Sequence, residues 1–237
     1  MSSISIIIPA KDEEHFLPRL LRSIGRQTLQ PKEVIIADAD SSDATVRVAQ
    51  SFGARVVKGG LPGPGRNAGA AVATAEILLF IDADAELTDS EFLARAVAEF
   101  NLRKLDVATT DLRPFDGTFF DEIMLSVYNR FVRLMQSVRA HANGSFIMAR
   151  RSVHVEINGF DETVVYCEDH DYAWRAARRG KFGVLNSVAI GVTTRRMERD
   201  GRFAIIVKSL LGEFHMLFLG PIRHDAFKYT FGYKKDS

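Results

Sequence analysis

The sequence predicts a single α/β domain with a mostly parallel central sheet flanked by helices, and two observations support this prediction. Short runs rich in β-branched residues alternate with helical patterns through the first third of the chain, which is typical of a parallel sheet covered by helices. A length of 237 residues suits one large domain with a sizeable core. The alternating segments are Ser5 to Pro9, Glu13 to Ser23, Glu33 to Ala37, Ala44 to Phe52, Arg55 to Val57 and Arg66 to Ala75.

The carboxyl ends of the expected strands carry the first candidate functional residues. Pro9, Asp38, Lys58 and Asp82 all fall at or directly after such ends. In an open parallel sheet, ligands bind outside the carboxyl ends of the strands. The sequence therefore predicts that these four positions share one binding edge.

The segment Asp82-Ala83-Asp84, which follows the apolar run Ile77 to Ile81, is the candidate metal site. Alternate residues of an extended segment point to the same side, so both carboxylates can face one cation. Mg²⁺ and Mn²⁺ take oxygen ligands and often share them with substrate phosphates, which makes a diphosphate the natural partner. Alone, such a short motif more often ends a strand in a solvated turn. Its place at the binding edge favours the metal site.

Two further segments are expected at the same edge. Residues 62–69 are predicted to form a glycine-rich turn before a helix, where free backbone N–H groups and Arg66 can meet a phosphate. An ordinary glycine turn explains these residues equally well. Asp38 is expected to accept a hydrogen bond from a nucleobase or ribose, whereas capping of the next helix by itself explains Ser41 and Ser42.

A long amphipathic segment, residues 119–138, is predicted to form a helix. We expect its apolar stripe to pack on the core, and a membrane-facing helix is the less favoured alternative. The stripe consists of Phe120, Ile123, Met124, Val127, Phe131 and Met135.

An arginine cluster precedes an apolar and aromatic C-terminal region. We expect the arginines to bind a phosphate, either of a diphosphate or of a lipid-phosphate acceptor, with a solvated face as the alternative. The aromatic residues are expected to fold back onto the core. The arginines are Arg195, Arg196, Arg199 and Arg202, and the aromatic residues are Phe214, Phe218, Phe227, Tyr229, Phe231 and Tyr233.

Composition excludes several classes of function. The chain has 31 Lys and Arg against 30 Asp and Glu, so no overall field favours nucleic acid as a partner. Cys167 is the only cysteine, which excludes an intrachain disulfide and a cysteine-cluster metal site. We expect a cytoplasmic protein, because the sequence shows neither a leader pattern nor an apolar stretch of roughly 20 residues. Peripheral contact with the cytoplasmic face of a membrane stays open.

These motifs, taken in order, resemble the family-2 type of inverting, nucleotide-sugar-dependent glycosyltransferases. That family has the GT-A fold, with a mostly parallel, Rossmann-like sheet. Each motif is weak by itself, but together they occur in the family's order over most of the chain, and a chance match does not produce such an order. The similar segments are Ile6 to Glu14, Glu33 to Asp38, Ser41 to Thr45, Arg66 to Gly69, Asp82 to Asp84, Asn158 to Glu162 and Glu168 to Asp171.

The resemblance implies a role for each matching residue. Asp38 reads the base, Asp82 contacts ribose or the metal, and Asp84 holds Mg²⁺ or Mn²⁺ against the diphosphate. Asp169 is the general base, and Glu168 beside it shapes the acceptor pocket. The nucleotide-sugar site as a whole comprises Pro9, Ala10, Glu13, Asp38, Arg66, Asn67 and Asp82.

The sequence departs from the family pattern in ways that bear on shape and product. Asp40 stands where a glycine is common, so the turn after the second strand is open to a different shape. The Gln-x-x-Arg-Trp box of processive synthases is absent, which favours one transfer per binding event.

The resemblance implies a metal-dependent transferase that moves one sugar from a UDP- or GDP-sugar to an acceptor hydroxyl or lipid phosphate. Cell-envelope, glycolipid or polysaccharide synthesis is the expected setting. A catalytically silent nucleotide-sugar-binding module of the same fold is the alternative. Residues 1–200 are expected to form the GT-A domain, with a nucleotide-binding half to about residue 88 and an acceptor half from about residue 89. Residues 201–237 are expected to extend it, packed on the domain or at a membrane surface.

Overall fold

An eight-stranded sheet runs through the centre of the computed structural model, which describes residues 2–224. The strands are, in chain order, β1 Ile4–Ala10, β2 Glu33–Asp38, β3 Arg55–Lys58, β4 Ile77–Phe80, β5 Ala85–Glu86, β6 Val107–Pro114, β7 Ile147–Arg150 and β8 Phe182–Val192. Across the sheet they follow the order β3-β2-β1-β4-β7-β6-β8-β5.

The sheet is mostly parallel, as the alternating sequence pattern predicts. β1 pairs in parallel with β2 and β4, β2 with β3, and β6 with β8. β7 runs antiparallel to both of its neighbours, and β5 runs antiparallel to β8. The predicted α/β fold with a mostly parallel sheet is therefore confirmed.

The helices of the described residues flank this sheet. Ile6 and Ile8 of β1 pack into one core layer and Ile7 packs into the other, because alternate residues of a strand point to opposite faces. The helices are α1 Leu17–Gly25, α2 Thr45–Ser51, α3 Pro62–Val72, α4 Phe92–Leu102, α5 Phe119–Met135, α6 Arg151–Glu156, α7 Glu168–Ala177, α8 Arg195–Asp200 and α9 Arg202–Phe218.

The predicted glycine-rich turn at residues 62–69 is wrong, because α3 already begins at Pro62. Proline suits the first helical turn, where its missing N–H needs no partner. A Cβ at Gly69 would clash with Cγ2 of Ile7. The glycine therefore lets α3 lie close against β1, and it does not open the backbone to a phosphate.

The expectation that the α5 stripe packs on the core is also wrong. Phe120, Ile123, Val127 and Phe131 are exposed. The buried side of α5 instead carries Leu125 and Val132, together with Asn129, which exchanges hydrogen bonds with the backbone of β6. Periodicity identifies an apolar face of a helix but does not say which face the sheet will cover.

The aromatic residues of α9 likewise do not fold back onto the core. Phe214 and Phe218 are exposed, and their rings contact each other at 4.6 Å between centroids. Within residues 2–224, no helix combines the length and the apolar character that crossing a membrane requires. The remaining expected aromatic residues, Phe227, Tyr229, Phe231 and Tyr233, lie outside the described residues.

Candidate active site

The carboxyl ends of the parallel strands meet at one edge of the sheet, as predicted. Ala10 pairs with Asp38, and Asp38 pairs with Lys58. β1 lies between β2 and β4, so the segment that follows β4 and carries Asp82 leaves the sheet at this edge. We refer to this region as the binding edge.

Asp38 is buried at the binding edge and keeps one carboxylate oxygen available. Its Oδ2 accepts a hydrogen bond from the backbone N–H of Ser41 at 3.0 Å, whereas Oδ1 meets no donor among the described residues. A buried oxygen in that state is costly unless a ligand or water supplies a donor. Asp40 has φ +56°, a conformation that glycine adopts readily, so the turn accommodates the substitution of the family's usual glycine.

Arg195 joins two buried acids of the binding edge. Its guanidinium donates to both carboxylate oxygens of Glu13, at 2.9 and 2.6 Å, and its Nη2 lies 2.9 Å from Oδ2 of Asp84. It also lies over the ring of Phe16, 4.2 Å from the centroid. Burial raises the pKa of Glu13 to about 7, although Arg195 opposes this rise. Arg195 is thus on the donor side of the expected site, close to the proposed metal ligand.

The acidic pair after β4 fits a hard divalent cation. Burial raises the pKa of Asp84; Arg195 opposes this effect and the charge of Asp82 adds to it. A second positive charge at this place relieves both the desolvation and the repulsion of the two carboxylates. Oδ2 of Asp82 accepts a long hydrogen bond from Oγ of Ser145 at 3.4 Å, and the Asp82 side chain is 34% exposed, so an ion can reach it. The carboxylate of Asp84 can bind an ion once the guanidinium of Arg195 no longer contacts it.

Arg196 and Arg199 lie farther along α8, on its exposed side. Both pair with Asp200, at 3.7 and 2.8 Å. Arg202 instead pairs with the buried carboxylate of Asp121, at 2.6 Å. Phosphate binding by Arg196 and Arg199 stays a prediction, and their exposure matches the solvated alternative.

Arg66 is the buried centre of the site. Its Nη1 donates to Glu168 and its Nη2 to Asp82, both at 2.8 Å, and Nη2 also reaches the carbonyl oxygen of Gly144 at 3.2 Å. Burial acts to lower the pKa of Arg66, but Asp82, Glu168 and Asp169 outweigh it and raise the pKa. The arginine stays charged and ties the segment after β4 to the start of α7, so its guanidinium organises carboxylates at this edge.

Asn67 uses its side chain to hold the loop before α7. Its Nδ2 donates to the carbonyl oxygen of Phe160 and to Glu162, both at 2.9 Å, and its Oδ1 accepts from the N–H of Phe160 at 2.8 Å. A direct contact with a nucleotide sugar stays a prediction for this residue. The geometry here assigns it the positioning of the loop.

Gly144 lies at a crowded point where an arginine and two carboxylates converge on the backbone. A Cβ at this position would lie 2.7 Å from Nη2 of Arg66, 3.3 Å from Oδ2 of Asp82 and 3.5 Å from Oδ2 of Asp169. The proposed metal-side acid and the proposed base therefore approach the same glycine from different elements. Sequence reasoning missed this glycine, because nothing in its immediate sequence marks it as different from a loop glycine.

A buried cluster behind Asp169 was also missed. Glu213 of α9 lies 2.8 Å from Nε2 of His141 and 2.6 Å from Nδ1 of His170, and Nε2 of His170 lies 4.0 Å from Asp169. Burial acts to lower the pKa of His170, but Asp169 and Glu213 outweigh it and raise the pKa to about 9. Glu213 was visible only as an acid within an apolar helix, which is the signal that could have predicted a buried partner.

Comparison with known proteins agrees with the motifs. The sequence matches the family described as Glycosyl transferase family 2 over residues 5–157, more than half of the chain. It is 36% identical over 107 residues to a 4,4'-diaponeurosporenoate glycosyltransferase of Staphylococcus haemolyticus (strain JCSC1435), a match that covers 41% of this chain and 28% of that protein. It is 26% identical over 148 residues to the poly(ribitol-phosphate) beta-N-acetylglucosaminyltransferase TarS of Staphylococcus aureus (strain Mu50 / ATCC 700699), covering 58% of this chain and 26% of TarS. The chain thus spans little more than a quarter of either relative.

Solved structures show the same fold. Mannosyltransferase PcManGT from Pyrobaculum calidifontis, in complex with GDP-Man and Mn²⁺, aligns with a TM-score of 0.73 at 18% identity, covering 96% of this chain and 67% of that one. S. aureus TarS 1–349 in complex with UDP-GlcNAc aligns with a TM-score of 0.66 at 22% identity, covering 81% and 58%. The GT-A fold implied by the motifs is confirmed. The ordered motifs, the binding edge and the family match together show that this chain belongs to glycosyltransferase family 2.

Proposed function

We propose that this protein is a metal-dependent inverting glycosyltransferase that moves one sugar from a UDP- or GDP-sugar to an acceptor hydroxyl or lipid phosphate. The observation that carries the proposal is the convergence of Asp82 and Asp169, from two different elements, on the backbone of Gly144. A sugar held there has the donor-side acids on one side and a carboxylate base on the other. Cell-envelope, glycolipid or polysaccharide synthesis is the proposed setting.

The donor's nucleoside is proposed to lie along the ends of β1 and β2. Asp38 Oδ1 is buried and meets no donor from the described chain, so an N–H of a base or an O–H of ribose can satisfy it. Pro9 and Ala10 are buried at the end of β1 and form the wall beside it. Glu13 follows in the same wall and shares Arg195 with Asp84.

Asp84 and Asp82 are proposed to hold Mg²⁺ or Mn²⁺ against the diphosphate. Such an ion, when bound, stabilises the negative charge that develops on the leaving nucleoside diphosphate. Arg195 neutralises Asp84 before binding and turns to the phosphates once Asp84 is released, because guanidinium and phosphate form charge-assisted hydrogen bonds. Arg66 holds Asp82 in place through the hydrogen bond from its Nη2 to Oδ1 of Asp82.

Asp169 is proposed to be the general base. It accepts the proton from the acceptor hydroxyl as the oxygen attacks the anomeric carbon, and a positioned base of this kind contributes roughly a hundredfold to ten-thousandfold in rate. The acceptor oxygen attacks from the side of Asp169, and the nucleoside diphosphate leaves towards Asp82 and Asp84. This opposite arrangement inverts the anomeric configuration. Glu168 accepts a hydrogen bond from Arg66 and thereby holds the start of α7 at the acceptor side.

The test combines a donor-binding screen with a transfer assay. Thermal shift with Mn²⁺ or Mg²⁺ should show stabilisation by either UDP-sugars or GDP-sugars, and Asp84→Asn should abolish the metal-dependent part. Asp169→Asn should keep that donor response and lose transfer by at least a hundredfold. The complexes of structural relatives with UDP-GlcNAc and with GDP-Man support both donor classes as candidates.

A catalytically silent nucleotide-sugar-binding module is the alternative, and the same experiment separates it from an enzyme. A silent module would respond to a donor yet release no nucleoside diphosphate with any acceptor extract, and Asp169→Asn would behave as the wild type. No donor response at all would contradict both functions. A cytoplasmic location stays a prediction from the sequence.

A further inference from the structure

Two apolar helix faces are exposed on the acceptor side of the domain. On α5, the residues recur at spacings of three and four, which places them on one face. On α9, spacings of seven, four and three do the same. Every one of these side chains is at least 37% exposed: Phe120, Ile123, Val127, Phe131 and Leu134 on α5, and Phe203, Leu210, Phe214 and Leu217 on α9. We call these nine residues the α5–α9 surface.

The start of α9 is joined to the start of α5, and the end of α9 is joined to the segment that follows α5. Near their starts, Arg202 donates to both carboxylate oxygens of Asp121 at 2.6 and 2.8 Å. Near their ends, Arg139 donates to the carbonyl oxygen of Met216 at 2.8 Å. These contacts bring the two helices close together at both ends. Exposed apolar faces on neighbouring helices indicate an interaction site.

A chain of side-chain contacts connects the α5–α9 surface to the proposed base. Phe131 packs edge-on against His141, with ring centroids 5.3 Å apart, and His141 packs on His170 at 4.9 Å. Glu213 joins these two histidines, and His170 lies next to Asp169. The apolar faces and the catalytic carboxylate are therefore separated only by a small polar cluster.

We propose that the α5–α9 surface lies against a lipid leaflet, and that the acceptor is an amphiphile from this leaflet whose polar end reaches Asp169. The inference rests on the proposed function, because it takes Asp169 to be the base. A molecule that reaches Asp169 from this side has to pass the two apolar faces. A hydrocarbon chain covers them without desolvating polar groups, whereas a free sugar would leave them in water.

A leaflet suits the shape and charge of these helices. Neither helix crosses a bilayer, and helices with one apolar face bind in the interface plane with that face in the acyl boundary. Arg130 is exposed on α5 beside the stripe, and Arg196 and Arg199, which are exposed on α8 directly before α9, share the single carboxylate of Asp200. Cationic side chains next to an apolar face favour a leaflet with anionic headgroups.

Flotation of the full chain with vesicles of phosphatidylcholine and phosphatidylglycerol in a 3:1 ratio, roughly the anionic content of a charged leaflet, tests this proposal. The variant Val127→Gln/Leu217→Gln removes one apolar group from each helix. The control variant, Val155→Gln/Leu102→Gln, makes the same two changes at exposed positions on α6 and α4. The wild type and the control should float equally, and the first variant should partition about tenfold less, because two large side chains no longer enter hydrocarbon.

Several outcomes overturn the proposal. The wild type does not float, or the two double variants lose binding equally, or 0.5 M NaCl, roughly three times physiological ionic strength, removes all binding and shows it to be purely electrostatic. If truncation after His224 creates binding that the full chain lacks, residues 225–237 are the occupant. If light scattering shows a dimer that Val127→Gln/Leu217→Gln dissociates, a second copy is the occupant.

Donor binding separates this inference from the proposed function. Val127→Gln/Leu217→Gln lies away from the binding edge and should retain the donor-dependent thermal shift. Failure to float with an intact donor shift refutes the leaflet alone. A normal flotation result without any donor shift refutes the transferase and leaves only the membrane-binding surface.

Discussion

Removal of the buried guanidinium at Arg66 should destabilise the domain strongly. In Arg66→Met, the side chain keeps most of its apolar stem but loses the hydrogen bonds to Asp82, Glu168 and the carbonyl oxygen of Gly144. Two carboxylates that share a buried cation are then left unpaired. Arg66 itself is 1% exposed, so water cannot replace it without rearrangement of the site.

The magnitude follows from burial of the partners. Breaking a buried ion pair by removal of one partner costs about 3–5 kcal/mol. The Glu168 side chain is 17% exposed and that of Asp82 is 34% exposed, so solvent can compensate Asp82 in part. We therefore expect a loss near the lower end, about 3 kcal/mol. For a domain of this size, that corresponds to roughly 6–12 °C in Tm.

Urea unfolding at pH 7 measures the loss, and the chain offers a matched control. Arg95 pairs with Asp89 at 2.6 Å, but both side chains are more than 40% exposed. Exposed pairs contribute about 0–1 kcal/mol, so Arg95→Met should unfold almost as the wild type does. The two variants carry the same chemical change and differ in burial.

The dependence on pH provides a second check with a fixed sign. In Arg66→Met, the freed carboxylates favour their neutral form, so lowering the pH from 7 to 5 should shrink the difference from wild type. Equal losses for Arg66→Met and Arg95→Met, or a difference that grows at lower pH, would refute the assignment of Arg66 as a buried charge centre.

Three further predictions concern the site. Gly144→Ala should lower transfer by at least tenfold, because the added methyl group would lie 2.7 Å from a guanidinium nitrogen of Arg66 and would displace the group that holds Asp82 and Glu168; steady-state kinetics measures this. Arg195→Ala should tighten Mn²⁺ binding about tenfold, because Asp84 loses its competing cation; isothermal titration calorimetry measures this, and Arg199→Ala is the control. His170→Asn should flatten the decline of stability between pH 6.5 and 9, measured by urea unfolding.

The sign of the His170 effect follows from its pKa, which is raised to about 9 in the folded protein. The stabilisation is complete below the unfolded value of about 6.5 and is lost as the pH rises through about 9, with a total of about 3 kcal/mol at most. A wild-type slope equal to that of the variant would contradict the charged cluster. Unchanged Mn²⁺ affinity in Arg195→Ala would contradict competition between Arg195 and the metal for Asp84. Full activity of Gly144→Ala would contradict the proposed placement of the sugar beside Gly144.

The region of strands β1 to β4 is where sequence reasoning reached furthest. Strands β1 to β4 follow local β-rich runs, and a parallel arrangement brings their carboxyl ends together whatever the details of packing. The sequence alone therefore places Asp38, Asp82 and Asp84 at one edge of the sheet. The error at residues 62–69 has a local cause, because a glycine that serves helix packing looks the same in sequence as a glycine that frees a turn.

The proposed acceptor half depends on contacts between distant segments. Arg66 meets Glu168 more than a hundred residues later in the chain, and Glu213 meets His141 across another long separation. No local pattern records which partner a buried charge will find. The sequence also does not say which face of α5 the sheet covers, because the hydrophobic period defines a stripe but not the element that packs on it.

The sequence by itself determined the fold class, the order of the first strands and the acids that stand at their ends, because these properties arise from local periodicity and from the geometry of parallel sheets. Only the tertiary structure decided that Arg195 holds Asp84, that Asp82 and Asp169 converge on Gly144, and that the α5 stripe is largely exposed. The physical reason is that burial, ion pairing and close approach depend on which distant residues become neighbours, and that choice is made by packing of the whole chain.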